Sequence, residues 1–212
     1  VVRPSEVLDF VTLYRANCTA CHGENGKNGA AISLANPAYL VVVREENLHE
    51  IIAKGVSGKL MPPFARSASG MLTDQQIGVL AHGIVQQWSR PDLFAGQEIP
   101  PYRATQAGDV SRGQEDFGVF CVRCHGVAGE GFTGDVKSGA GKIGSIVDGS
   151  YLALISDQSL RSIVIAGRSD EGMPDWRSDG AQPLTDKQIT DIVAWLASKR
   201  TANPGQPYPM QQ

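Results

Sequence analysis

Cysteine and histidine concentrate in two five-residue groups, Cys18-Thr19-Ala20-Cys21-His22 and Cys121-Val122-Arg123-Cys124-His125. Each is a C-x-x-C-H, the spacing of c-type haem attachment. Two thiols three positions apart can each form a thioether with one of the two vinyl groups of a haem. The next residue then places an imidazole under the iron. Together the groups use all four cysteines and two of the four histidines. A redox disulfide and half of a zinc site share the C-x-x-C core. A thioredoxin-type motif needs no following histidine and sits in a β-α-β pattern, which this sequence does not show. A four-cysteine zinc site would have to join motifs 103 residues apart and leave both histidines unused.

A haem iron has a second axial position, and methionine there raises its potential. Met61 lies in Leu-Met-Pro-Pro-Phe and Met173 in Gly-Met-Pro-Asp-Trp, each 11 residues before a Leu-Thr-Asp sequence. The following proline stiffens the backbone on which a thioether would be held. Met71 corresponds to Pro183, and Met210 lies in the tail with no counterpart. Met71 is expected to pack near a helix start. His49 and His82 correspond to Arg161 and Ala194, so neither recurs, and both read as structural or solvated.

These correspondences come from an internal repeat. Leu48, Gly55, Met61, Leu72, Thr73, Asp74, Gln76 and Ile77 return as Leu160, Gly167, Met173, Leu184, Thr185, Asp186, Gln188 and Ile189, all offset by 112. The C-x-x-C-H groups are offset by only 103, so the second half carries 9 extra residues after its motif. The glycine-rich run Gly129 to Gly144 accommodates them as a loop. Each half reads as helical. Ser5 to Asn17, with Val7, Leu8, Val11 and Tyr14 at helical spacing, precedes the first motif, and Val110 to Phe120 precedes the second. Glu45 to Lys54 matches Gln158 to Ala166. Final helices are expected from about Thr73 to Trp88 and Thr185 to Lys199, each opened by a Thr-Asp pair suited to capping.

At 212 residues the chain suits two domains of about 100 residues each. The expected limits are 1–90 and 109–200, with a proline-containing linker at 91–108 and a proline-rich tail at 201–212. Net charge is −3, with residues 1–90 at +1 and 109–200 at −3, which gives no electrostatic case for nucleic acid. No apolar run approaches the ~20 residues that span a bilayer. The sequence begins at Val1 without a signal-peptide pattern. It therefore reads as a mature or trimmed chain, compatible with an anchor upstream.

Taken together, these residues resemble the class I cytochromes c, over residues 5–90 and 109–200. The arrangement is similar to tandem dihaem members, such as the cytochrome c4 type or dihaem subunits of respiratory complexes. The resemblance implies an all-α fold of two tandem cytochrome c-type helical domains, each wrapped around one covalently bound haem. It implies two haem c groups: Cys18, Cys21, His22 and Met61 on one, with Cys121, Cys124, His125 and Met173 on the other. His22, Met61, His125 and Met173 would be the iron ligands. The implied function is one-electron transfer in a respiratory chain, by a carrier or relay subunit rather than an enzyme. The implied partners are redox proteins: a quinol-oxidising complex, a terminal oxidase or another cytochrome, with a membrane complex reached through a partner or an anchor. The implied location is the periplasm or another extracytoplasmic face of a bacterial membrane.

The alternative is a haem enzyme such as a dihaem peroxidase or a thiosulfate dehydrogenase. Peroxidase chemistry needs an open iron position, which two methionine candidates argue against. A thiosulfate enzyme would be expected to show a cysteine ligand, and no cysteine is spare. Two departures from the family stand out. In the family a glycine of the N-terminal helix meets an aromatic residue of the final helix. The second half fits, with Gly113, Phe117, Ile192 and Trp195. The first half has Phe10, Tyr14, Leu80 and Gly83, with small and large partners exchanged. Neither histidine is followed shortly by a proline, so the proximal hydrogen bond is expected to go to another backbone carbonyl.

Overall fold

The structure, a computed structural model, describes residues 3–132, 143–177 and 182–201. Among these the regular elements are helices: α1 (Phe10–Asn17), α2 (Thr19–His22), α3 (Pro37–Lys54), α4 (Asp74–Trp88), α5 (Val110–Phe120), α6 (Val122–His125), α7 (Gly149–Leu154), α8 (Asp157–Ala166) and α9 (Asp186–Ser198). Extended pairing is limited, among the described residues, to isolated bridges such as Ala65 with Leu72 and Arg168 with Met173. The all-α expectation is met. Most of the Gly129–Gly144 run and nearly all of the 201–212 tail lie outside the described residues.

The repeat is visible in the elements. Arg44 interrupts α3 with φ 58° and ψ 160°. The two parts of α3 therefore correspond to α7 and α8. Both start on a short side chain 112 residues apart. Asn36 Oδ1 accepts from Ala38 N and Tyr39 N, and Asp148 Oδ1 accepts from Ser150 N and Tyr151 N. The final helices start on matching capping boxes. Thr73 accepts from Gln76 N while Gln76 Oε1 accepts from Thr73 N, and Thr185 and Gln188 do the same. Two N–H groups that the helix cannot use are satisfied in each box. Thr73→Ala or Thr185→Ala is expected to cost about 1 kcal/mol. Thermal unfolding checks this, and an unchanged midpoint in both variants would contradict it.

The N-terminal helix is shorter than expected. It starts at Phe10, not near Ser5, because the Asp9 carboxylate accepts from Thr12 N and takes the cap position. Pro4–Glu6 forms a separate 3₁₀ turn instead. Of the expected apolar stripe only Tyr14 is buried, joined by Leu13, while Leu8 and Val11 face solvent. Met71 does not pack at the helix start either, being 79% exposed.

The chain forms two compact units, Val1–Tyr102 with Ser162–Asp179, and Arg103–Arg161 with Gly180–Gln212. In the first unit α1 and α3 pack on α4. Its core gathers Leu13, Tyr14, Leu40, Val43, Leu48, Ile52, Ile77, Leu80 and Ile84. In the second unit α5 packs on α9 around Phe117, Ile189, Ile192, Trp195 and Leu196. Fully burying such side chains contributes about 1.5–3 kcal/mol each.

The exchanged helix-crossing residues take the places read from the sequence. A Cβ on Gly83 would lie 2.2 Å from Cδ2 of Phe10, so the ring occupies the notch that the glycine leaves in α4. In the second unit a Cβ on Gly113 would lie 1.9 Å from the Asp191 carbonyl oxygen and 2.9 Å from Trp195 Cβ. The Phe117 and Trp195 rings meet there with centroids 4.4 Å apart. Each crossing keeps one small and one bulky residue, on opposite sides in the two units.

Candidate functional site

The first C-x-x-C-H is built by the end of one helix and a single turn of the next. Cys18 caps α1, its N–H donating to Tyr14 O at 2.8 Å. Cys21 N and His22 N both turn back to Cys18 O, at 3.2 and 2.9 Å. This turn places Cys18 and Cys21 three residues apart on one face of α2. Both thiols are free. Gly23 ends the turn at φ 79°, where a Cβ would meet Lys27 O at 2.0 Å. The loop that follows folds back on the motif, with Ala31 N donating to Cys21 O at 2.9 Å.

That loop orients the imidazole. His22 is 9% exposed, and its Nδ1 lies 2.8 Å from Ile32 O. A carbonyl oxygen can only accept, so Nδ1 carries the hydrogen and Nε2 keeps a lone pair. Burial pushes the His22 pKa down against the opposing effect of the Ile32 bond, so the ring favours its neutral, metal-binding form. The Nδ1 hydrogen bond thus goes to a backbone carbonyl ten residues on, with no proline involved. Tyr14 braces the same corner, its hydroxyl donating to Gly23 O at 2.9 Å.

The second motif repeats the backbone. Cys121 caps α5 with its N–H on Phe117 O at 2.9 Å, and His125 N and Cys124 N return to Cys121 O. Gly126 ends α6 at φ 78°. Ser145 Oγ donates to Gly129 O at 3.3 Å as Ser33 Oγ does to Gly26 O at 3.0 Å. The imidazole differs. His125 Nδ1 is buried and has no hydrogen-bond partner among the described residues. Burial lowers the His125 pKa as well.

Electrostatics set Cys18 and Cys121 apart from an attacking thiolate. Burial first, then the neighbouring Cys21, pushes the Cys18 thiol up to about 12. Burial, Asp116 and Cys124, in that order, push Cys121 up to about 12. A disulfide-exchange cysteine needs the opposite shift, toward the thiolate. Two free thiols on one turn, followed by an imidazole, suit covalent haem c at both motifs, and at the first the Ile32 bond leaves Nε2 available. At the first motif the ring is also fixed by a carbonyl. At the second, Nδ1 has no partner among the described residues.

Met61 and Met173 occupy equivalent places. Both are half-buried. Val56 N donates to Met61 O at 3.0 Å, and Arg168 N donates to Met173 O at 2.9 Å. Behind each stands a glycine that the sequence shows as a repeat but whose role its pattern did not reveal. A Cβ on Gly55 would lie 2.7 Å from Met61 O, and one on Gly167 2.6 Å from Met173 O. Both glycines have φ 66°. The recurrence of glycine at a fixed distance before Met-Pro was the available signal. Phe64 is half-buried, whereas Trp176 is a core aromatic at 2% exposure. His49 is half-buried on α3, and the exposed His82 lies 3.3 Å from Glu45.

The sequence profile of the family described as "Cytochrome C oxidase, cbb3-type, subunit III" matches residues 6–82 and 108–196. No curated protein matches the chain. Among solved structures it is similar to a chain of the Kuenenia stuttgartiensis reducing HAO-like protein complex Kustc0457/Kustc0458, at 18% identity and a TM-score of 0.52. That likeness covers 95% of this chain and 100% of the other, and shows the fold. A shorter similarity, at 29% identity and a TM-score of 0.31, reaches dihydro-heme d1 dehydrogenase NirN, over 47% of this chain and 23% of that one.

Proposed function

The chain belongs to the cytochrome c family of the cbb3-type oxidase subunit III, and from this we propose that it is a dihaem electron relay with two His/Met-ligated haems. Cys18, Cys21, His22 and Met61 would hold one haem, and Cys121, Cys124, His125 and Met173 the other. Each haem supplies reversible one-electron chemistry when bound. The residues around it supply fixed attachment, constant ligation and a low-polarity setting. The observation that carries this reading is His22, with Nδ1 on Ile32 O and Nε2 free, beside two free thiols.

Methionine in the sixth position would raise both potentials. That suits a subunit passing electrons to redox partners, such as a terminal oxidase, a quinol-oxidising complex or another cytochrome, on an extracytoplasmic face. Among the described residues no helix is long and apolar enough to cross a membrane, so attachment to a membrane complex would run through a partner or through sequence outside these residues. Intact mass under denaturing conditions tests the reading. Two covalent haem increments are expected, falling to one in a Cys18→Ala, Cys21→Ala double variant and in the matching Cys121→Ala, Cys124→Ala variant. A mass with one increment or none in the parent chain would overturn it.

A further inference from the structure

The sequence 91–108 reads as a linker, yet its first residues do more than connect. Pro91–Phe94 forms a 3₁₀ turn that buries Phe94 to 3% exposure. The Phe94 ring meets Trp176 edge to face, with centroids 4.4 Å apart. This arrangement is among the favoured aromatic geometries. The Arg177 guanidinium lies over the same Phe94 ring at 4.7 Å. Its Nε and Nη2 donate to the Asp175 carboxylate at 2.9 and 2.6 Å. Such a two-pronged pair fixes the plane of the guanidinium. Phe94 therefore packs on Trp176 and Arg177, which follow shortly after Met173-Pro174.

The residues that precede Met173 are held from Asn36. Its Oδ1 caps α3, and its Nδ2 donates to Gly167 O at 3.0 Å and Ala166 O at 3.3 Å. Asn36 is 7% exposed, so these bonds are made away from competing water. Gly167 is the residue whose missing Cβ lets the Met173 backbone approach. At the repeated position stands Asp148, which caps α7 but has no amide to donate.

We propose that Phe94 and Asn36 are positioning residues for Met173, holding the segment that carries it by Trp176 and Arg177 on one side and by the Ala166 and Gly167 carbonyls on the other. This rests on reading Met173 as an axial ligand. A thioether is a weak ligand, and how readily another group displaces it depends on how tightly its backbone is held.

The test is an imidazole titration of the full dihaem chain, followed by the near-infrared methionine–iron band. Met173→Ala is expected to remove the part of the band that Met173 contributes. In Phe94→Ala that same part should yield to imidazole at about tenfold lower concentration. Phe94→Leu, which keeps apolar volume, should lie closer to the parent. Asn36→Ser keeps a capping oxygen for α3 and removes the two donors. It should shift the same part of the band in the same direction, and it decides the matter alone if Phe94→Ala does not fold. A band unchanged by Met173→Ala would remove the ligand reading and this inference with it. A band lost in Met173→Ala, with parental imidazole affinity in both Phe94→Ala and Asn36→Ser, would overturn the positioning role alone.

Discussion

Gly113→Ala is expected to destabilise the second unit by more than Gly83→Ala destabilises the first. The added Cβ on Gly113 would stand 1.9 Å from the Asp191 carbonyl oxygen, a backbone atom of α9 that cannot rotate away. The whole α5–α9 crossing must open, along with the Phe117–Trp195 contact at its centre. Overpacking of this kind costs about 1–3 kcal/mol, and a clash with helix backbone belongs at the upper end. At Gly83 the added atom meets the half-buried Phe10 ring, a side chain rather than helix backbone. A side chain can shift where helix backbone cannot, so the loss is smaller. The exchange of small and large partners adds a sharper test. Gly83→Trp alone should cost about 1–3 kcal/mol, and Phe10→Gly added to it should recover part of that loss. Denaturant unfolding of the four variants checks both statements. A double variant no better than Gly83→Trp would refute the exchange.

Gly55→Ala and Gly167→Ala should loosen the two methionine segments. Gly55 sits at φ 66° and ψ −166°, a region almost reserved for glycine, where a side chain costs about 1–3 kcal/mol. The added carbon would also lie 2.6 Å from Pro62 C and Pro63 N. At Gly167 it would lie 2.4 Å from Pro174 O. These are backbone atoms of the Met-Pro segment, so the segment has to move. We expect the methionine–iron band to weaken and the corresponding potential to fall in each variant. Gly58→Ala is the control. It has a similar φ of 68°, but nothing lies within 4 Å of its Cβ. It should lower stability modestly and leave the band intact. Equal band loss in Gly58→Ala and Gly55→Ala would mean that strain, not displacement, is responsible.

How far the sequence could be read depended on whether a feature recurs. Thr73 and Thr185 and the two C-x-x-C-H groups stand in register, and local chemistry alone dictates caps and turns at such positions. The exchanged pair Phe10/Gly83 was legible because volume has to be conserved wherever two helices cross. Features without a counterpart were not legible. Asn36 looks like an ordinary helix cap, since a sequence shows its acceptor role through position but not the carbonyls that its amide reaches 130 residues away. Phe94 looks like part of a connector, because its burial depends on Trp176, which is distant in the chain. The start of α1 was misplaced because Asp9 offered a cap that interrupts an otherwise helical apolar pattern. Met71 shows the opposite failure: an apolar residue near a helix start that found nothing to pack against.

The most direct test of the central claim is a spectroelectrochemical redox titration of the purified chain, with the near-infrared spectrum of the oxidised form followed throughout. The account predicts two haems per chain, a methionine–iron band that falls by a share in each of the single variants Met61→Ala and Met173→Ala, and two positive potentials. A high-spin signal, a strongly negative potential, or a band indifferent to either methionine would contradict it.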